Sequence, residues 1–115
     1  MKIYKTQEEV ERDVKDRRLI IDDDVVFECD IDLPISIEAM DITAKDINAI
    51  DINAIDINAI DINAGNIIAG NIEAGNISYY AVCYAYGSIV CDSILGRHKN
   101  SKHFCLDGKI TIRGT

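Results

Sequence analysis

Residues 41–80 read DITAK DINAI DINAI DINAI DINAG NIIAG NIEAG NISYY, eight consecutive units of five. One column is Ile throughout: Ile42, Ile47, Ile52, Ile57, Ile62, Ile67, Ile72 and Ile77. Another is Ala from the first unit to the seventh: Ala44, Ala49, Ala54, Ala59, Ala64, Ala69 and Ala74. Asp or Asn precedes every one of those isoleucines, and the pattern extends back to Ile37 and Ala39 and forward to Val82.

Neither common secondary structure suits this period. A helix repeats about every 3.6 residues, so a strict five would smear the isoleucines around it. A flat strand repeats in twos, so a period of five changes face at each unit. A chain that turns a corner once per unit accommodates five, with Asp or Asn at the bend, where their side chains bond nearby backbone. Ile then points inward, and Ala two residues later is the expected inward companion. The competing inward position is the residue before Asp or Asn, held by Ile50, Ile55, Ile60, Gly65, Gly70 and Gly75. The Ala column is preferred because it is uniformly small, as a crowded axis requires.

The number of faces per coil follows from what stacks on what. Four faces set residue n on n+20, so Asp46, Asp51 and Asp56 meet Asn66, Asn71 and Asn76, and only Asp41 and Asp61 meet as like charges. Three faces give two such pairs and two faces give three. Carboxylates one strand apart repel, whereas an amide donates to a carboxylate. The 20-residue offset also sets Ile50 and Ile55 against Gly70 and Gly75. Four faces are therefore expected.

From about Ile37 to Val82 the chain resembles the pentapeptide-repeat family, in which a large apolar residue follows Asp or Asn at the centre of each unit. That resemblance implies a right-handed, four-sided parallel β-solenoid. The family's small residue two before the centre is replaced here by Ile50, Ile55 and Ile60 or by a glycine. The segments SYYAVCYAYGSIVCDSI (78–94) and KHFCLDGKI (102–110) look like those of uncharacterised bacterial proteins with D-I-x-A-x repeats, a likeness that implies no activity.

A solenoid needs closed ends, because open edges join other chains. Residues 1–36 read as an N-terminal cap, 37–95 as the solenoid and 96–115 as a C-terminal cap. In the first, Thr6 followed by Glu9 makes a capping box opening a helix over about 6–16, with Val10 and Val14 on one face. The Asp triplet at 22–24 marks a turn or a solvated bulge. Phe27, Cys29, Ile31, Leu33, Ile35 and Ile37 then alternate as one long half-buried strand, with Pro34 outward. At the other end, Asp107-Gly108 between Phe104–Leu106 and Lys109–Ile112 predicts a hairpin.

With 115 residues the chain makes one domain. It is 48% apolar but only 6% aromatic, which fits uniform layers of Ile and Ala. Its net charge is −8, and residues 1–61 carry −10 against +2 for residues 62–115. General nucleic-acid binding, which needs a continuous cationic surface, is not expected. Nor is membrane insertion, since no apolar run approaches about 18–20 residues. With no export signal in view, reduced cysteines and a cytoplasmic location are expected.

Chemistry is sparse. Cys83, Cys91, His98, His103 and Cys105 fall close together, but no two cysteines have zinc-finger spacing, so no metal is expected. His103 and Cys105 lie two apart, the one arrangement that suggests a thiol nucleophile; no catalytic residue or cofactor is assigned. The Asp column lacks the clustered oxygens that calcium requires. Tyr79, Tyr80, Tyr84 and Tyr86 form the candidate interaction patch. The sequence thus predicts a non-catalytic structural or protein-interaction module with an unidentified protein partner. The family resemblance implies an alternative, an acidic mimic of DNA that binds DNA gyrase. The charge asymmetry suggests another, a homo-oligomer built through solenoid ends or faces.

Overall fold

A computed structural model describes residues 1–113 of the chain. Its elements are β1 (Lys2–Tyr4), α1 (Gln7–Asp13), β2 (Arg18–Ile20), β3 (Val25–Phe27), β4 (Ile31–Asp32) and β5 (Ser36–Glu38). The repeat continues them as β6 (Asp41–Thr43), β7 (Asp46–Asn48), β8 (Asp51–Asn53), β9 (Asp56–Ala69) and β10 (Asn71–Ala85). Last come β11 (Ile89–Cys91), β12 (Ser93–Gly96), β13 (Lys102–Cys105) and β14 (Ile110–Ile112). All fourteen strands join one parallel sheet wound into a β-solenoid of about six turns.

The corner comes from a break in alternation. Within each DINAx unit the residues point out, in, out, in, out; the next unit starts outward again, so two consecutive residues face solvent and the chain bends between them. Accordingly Ile52 and Ala54 are buried while Asn53 and Ile55 are exposed. All eight repeat isoleucines are at most 2% exposed. Ala49, Ala54, Ala59, Ala64, Ala69 and Ala74 are buried beside them, and Ala44 is half-buried. Ile50, Ile55 and Ile60 lie outside.

The coil has three faces, not the expected four. Ile42 pairs with Ile57, Ile47 with Ile62 and Ile52 with Ile67, an offset of 15 residues. Two like-charged pairs, Asp41–Asp56 and Asp46–Asp61, therefore stand in register. The amide–carboxylate ladder forms on the shorter offset, from Asn66 to Asp51 (3.0 Å), Asn71 to Asp56 (3.1 Å) and Asn76 to Asp61 (3.0 Å). Two exposed carboxylates repel by only about 1 kcal/mol in water. Burying three isoleucines in each layer, at about 1.5–3 kcal/mol each, outweighs that.

The glycines sit where coils approach most closely. A Cβ at Gly65, Gly70 or Gly75 would lie 2.8, 2.5 or 2.6 Å from the carbonyl oxygen of Ile50, Ile55 or Ile60 in the preceding coil. The N–H groups of Gly65 and Gly70 donate to that same oxygen at 2.6 Å. Large over small is right as a pattern, but its offset is 15 rather than 20.

Several local expectations change. The helix stops at Asp13, three residues before the expected end; its Thr6–Glu9 capping box is present. A tight turn follows, with Lys15 and Arg18 bonded to each other through their backbones. The long strand over 27–37 is instead β3, β4 and β5 on three successive faces. Its corner at Pro34 is a three-residue turn in which the Ile35 N–H donates to the Leu33 carbonyl at 2.8 Å. Val82 does not continue the Ile column: one extra residue after Tyr79 puts Cys83 opposite Ile67. No hairpin forms at Asp107-Gly108. β13 pairs in parallel with β10 and β14 with β11, because Gly108 turns a coil corner against the Gly87 carbonyl.

The expected caps at 1–36 and 96–115 both add rungs to this ladder, through β1 to β4 and through β13 and β14; residues 114–115 lie outside the described residues. Aromatic rings take Ala-column positions toward each end. Tyr4 stacks on Phe27 at 5.6 Å, and Tyr79 takes the Ala position above Ala64. Buried Val10 of α1 joins the core cluster at the N-terminal end.

Candidate functional site

The three faces differ in what they present. The first carries Asp41, Asp56 and Asn71 beside Thr43, Asn58 and Glu73; the second carries Asp46, Asp61 and Asn76 beside Asn48, Asn63 and Ser78. Both are polar and shallow. The third starts polar at Glu38 and Asn53 and then turns apolar: Ile68, Tyr84 and Phe104 stand in register on consecutive coils. The Tyr84 and Phe104 rings lie 4.9 Å apart.

Residues i and i+2 share a side of a strand, so the neighbouring column of that surface holds Ile55, Tyr86 and Leu106. These six, except half-buried Tyr84, are between 45% and 63% exposed. Together they make an apolar band along one edge of the solenoid. The repeat conceals it, because Ile68 merely replaces the Asn of a DINAx unit and the other rungs fall in the irregular segment.

Only part of the expected tyrosine patch is on the surface. Tyr84 and Tyr86 belong to the band, and exposed Tyr80 packs against the His98 ring at 5.1 Å. Tyr79 is buried, with its hydroxyl hydrogen-bonded to Nδ1 of His103. Burial raises the Tyr79 pKa, with a smaller contribution from Cys83. Its place in the Ala column was legible, since Tyr79 follows Ile77 by two.

The structure does not bring the thiols and imidazoles together as ligands. No group of three His, Cys, Asp or Glu side chains converges among the described residues. All four cysteines are free, and burial pushes each thiol up, opposite to the shift that activates a nucleophile. The His103 ring is engaged by Tyr79 rather than held for Cys105.

Cys83 carries a pH prediction. Burial pushes its thiol from 9.0 up to about 12, so the unfolded chain loses this proton first as pH rises. Its stabilising effect is complete below pH 9 and is lost between pH 9 and about 12. Urea unfolding at stepped pH is expected to show stability falling through that window, and Cys83→Ala is expected to flatten the fall.

Carboxylates shift for local reasons. Asp41 is raised, first by partial desolvation and then by Asp24 and Asp56 in its own column. Asp13 is lowered chiefly by the Tyr4 hydroxyl, which donates to it at 2.7 Å. The C-terminal coil is tied back by two arginines: Arg97 donates to the Ala64 carbonyl at 2.9 Å and Arg113 to that of Ala74 at 2.8 Å. Arg113 also pairs with Asp92 at 3.2 Å.

Among the described residues no helix is long and apolar enough to cross a membrane. Comparison with known proteins gives no match to any family model, curated protein or solved structure.

Proposed function

We propose that the chain is a non-catalytic protein-interaction module of the pentapeptide-repeat kind that docks a protein partner through the apolar band on its third face. The observation that carries this reading is the alignment of Ile68, Tyr84 and Phe104 on successive coils beside Ile55, Tyr86 and Leu106. Exposed aromatic and aliphatic side chains grouped on a rigid scaffold mark interfaces, since covering them removes apolar area from water without reordering the backbone. The raised thiols and the engaged His103 give no support to a Cys–His nucleophile pair.

A photo-crosslinking residue at Tyr84, introduced in the source cells, is expected to give a discrete adduct that the same residue at Asn58 on the first face does not. Phe104→Glu is expected to abolish it. Equal labelling from both positions contradicts the proposal.

Self-association through the ends is a second reading, favoured by one asymmetry. Helix α1 lies over the N-terminal end and buries Val10 there, with Val14 and Ile21 partly covered, whereas no helix among the described residues overlies Ile94, Cys105 and Ile110 of the last coil, which are also only partly covered. Sedimentation mass that rises with concentration and falls with salt supports axial assembly; constant mass rejects it. The gyrase-mimic reading draws less support, because the stacked carboxylates give way to Asn66, Asn71 and Asn76 along the column.

A further inference from the structure

We propose that the cavity at the N-terminal end binds a small phosphate monoester. This concavity of about 810 Å³ is larger than the grooves of about 410 and 370 Å³ on the polar faces and within the range of small-molecule sites. Its charge is opposite to that of the whole chain. Lys2 and Asp13 in its wall pair with each other at 3.4 Å, and Asp13 also accepts from Tyr4. That leaves Arg12, Lys15 and Arg18 with no ion pair among the described residues, against Asp16 alone. Three cations and one carboxylate give +2, matching the dianion of a phosphate monoester.

The local backbone is built at a cost that holds these cations together. Lys15 and Arg18 exchange backbone hydrogen bonds of 2.9 Å across a two-residue turn. Its central residues, Asp16 and Arg17, have φ of 52° and 62°, the left-handed region that such a turn requires and glycine or asparagine usually supplies. Closing the turn sets two cations directly opposite each other, an unfavourable pairing. The C-terminus of α1 accounts for a cation at Arg12 through the helix dipole, but not for the Lys15–Arg18 pair. An anion with several acceptor oxygens between those side chains turns the repulsion into attraction. Beside them Ile20 is exposed and Ile21 half-buried, an apolar wall for the carbon part of an ester.

Calorimetric titration of the whole chain with phenyl phosphate and with inorganic phosphate tests the site. One-to-one saturable binding is expected, tighter for phenyl phosphate. Lys15→Gln and Arg18→Gln are each expected to weaken it about tenfold or more, with circular dichroism and melting temperature preserved. Lys99→Gln, far along the chain, is expected to leave it unchanged. No saturable heat overturns the proposal, as does equal weakening by Lys99→Gln. Equal affinity for the two probes means an adventitious ion only and overturns it too. The site shares no residue with the apolar band, so either proposal can fail alone.

Discussion

Ile52→Ala is expected to lower the free energy of unfolding by about 2–5 kcal/mol, and Ile55→Ala, three residues on, by less than about 0.5 kcal/mol. The two isoleucines occupy equivalent-looking places in the unit DINAI. Ile52 is 1% exposed, between Ile37 and Ile67 on the coils either side. Its truncation leaves a hole that neighbouring rungs, fixed by their own ladders, cannot collapse to fill. Ile55 stands at a corner and is 52% exposed, so trimming it leaves no enclosed hole. Chemical denaturation of the two variants measures both. Equal losses would mean that the inward column is wrongly assigned.

Gly70→Ala is expected to cost about 1–3 kcal/mol, by the mechanism of overpacking rather than by lost chain entropy. The added carbon would sit 2.5 Å from the Ile55 carbonyl oxygen, and that oxygen accepts the Gly70 N–H at 2.6 Å. Relief requires the two coils to part locally, which weakens that hydrogen bond. Because the obstacle is backbone, trimming the neighbouring side chain is not expected to help: Gly70→Ala/Ile55→Ala should unfold as readily as Gly70→Ala alone. Rescue by the second substitution would show that side-chain volume, and not the approach of the main chains, selects glycine there.

The solenoid, its inward Ile and Ala columns and the capping box at Thr6 and Glu9 were legible because each depends on a few neighbouring residues. The number of faces was not. In the sequence it rests on the stacking partners of Asp41 and Asp46, a solvent-screened repulsion of about 1 kcal/mol, on Ile50 and Ile55 over glycines, a pattern that offsets of 15 and 20 both allow, and on a family likeness, while the perimeter of the coil is governed by filling the axis. A period of five is compatible with either perimeter, so the sequence pattern carried no stronger vote.

The same reasoning explains the ends. Phe27 to Ile37 alternates as a strand does, yet Pro34 and the bends before Ile31 and Ser36 divide it among three faces. Asp107-Gly108 has hairpin chemistry, but the parallel ladder overrides it, and Gly108 is needed for its closeness to Gly87. The apolar band is not legible in the sequence because its members, Ile55, Ile68, Tyr84, Tyr86, Phe104 and Leu106, are far apart along the chain and meet only through the coil length. The grouping of tyrosines from 79 to 86 mixed a buried plug, Tyr79, with surface residues.

Backbone amide contacts in the isotope-labelled native protein, measured as nuclear Overhauser effects across strands, test the coil length most directly. Cross-strand contacts are expected between Ile57 and Ile72 and between Ile47 and Ile62, fifteen residues apart. Contacts joining Ile57 to Ile77, with none to Ile72, would contradict the three-sided coil and every surface built on it.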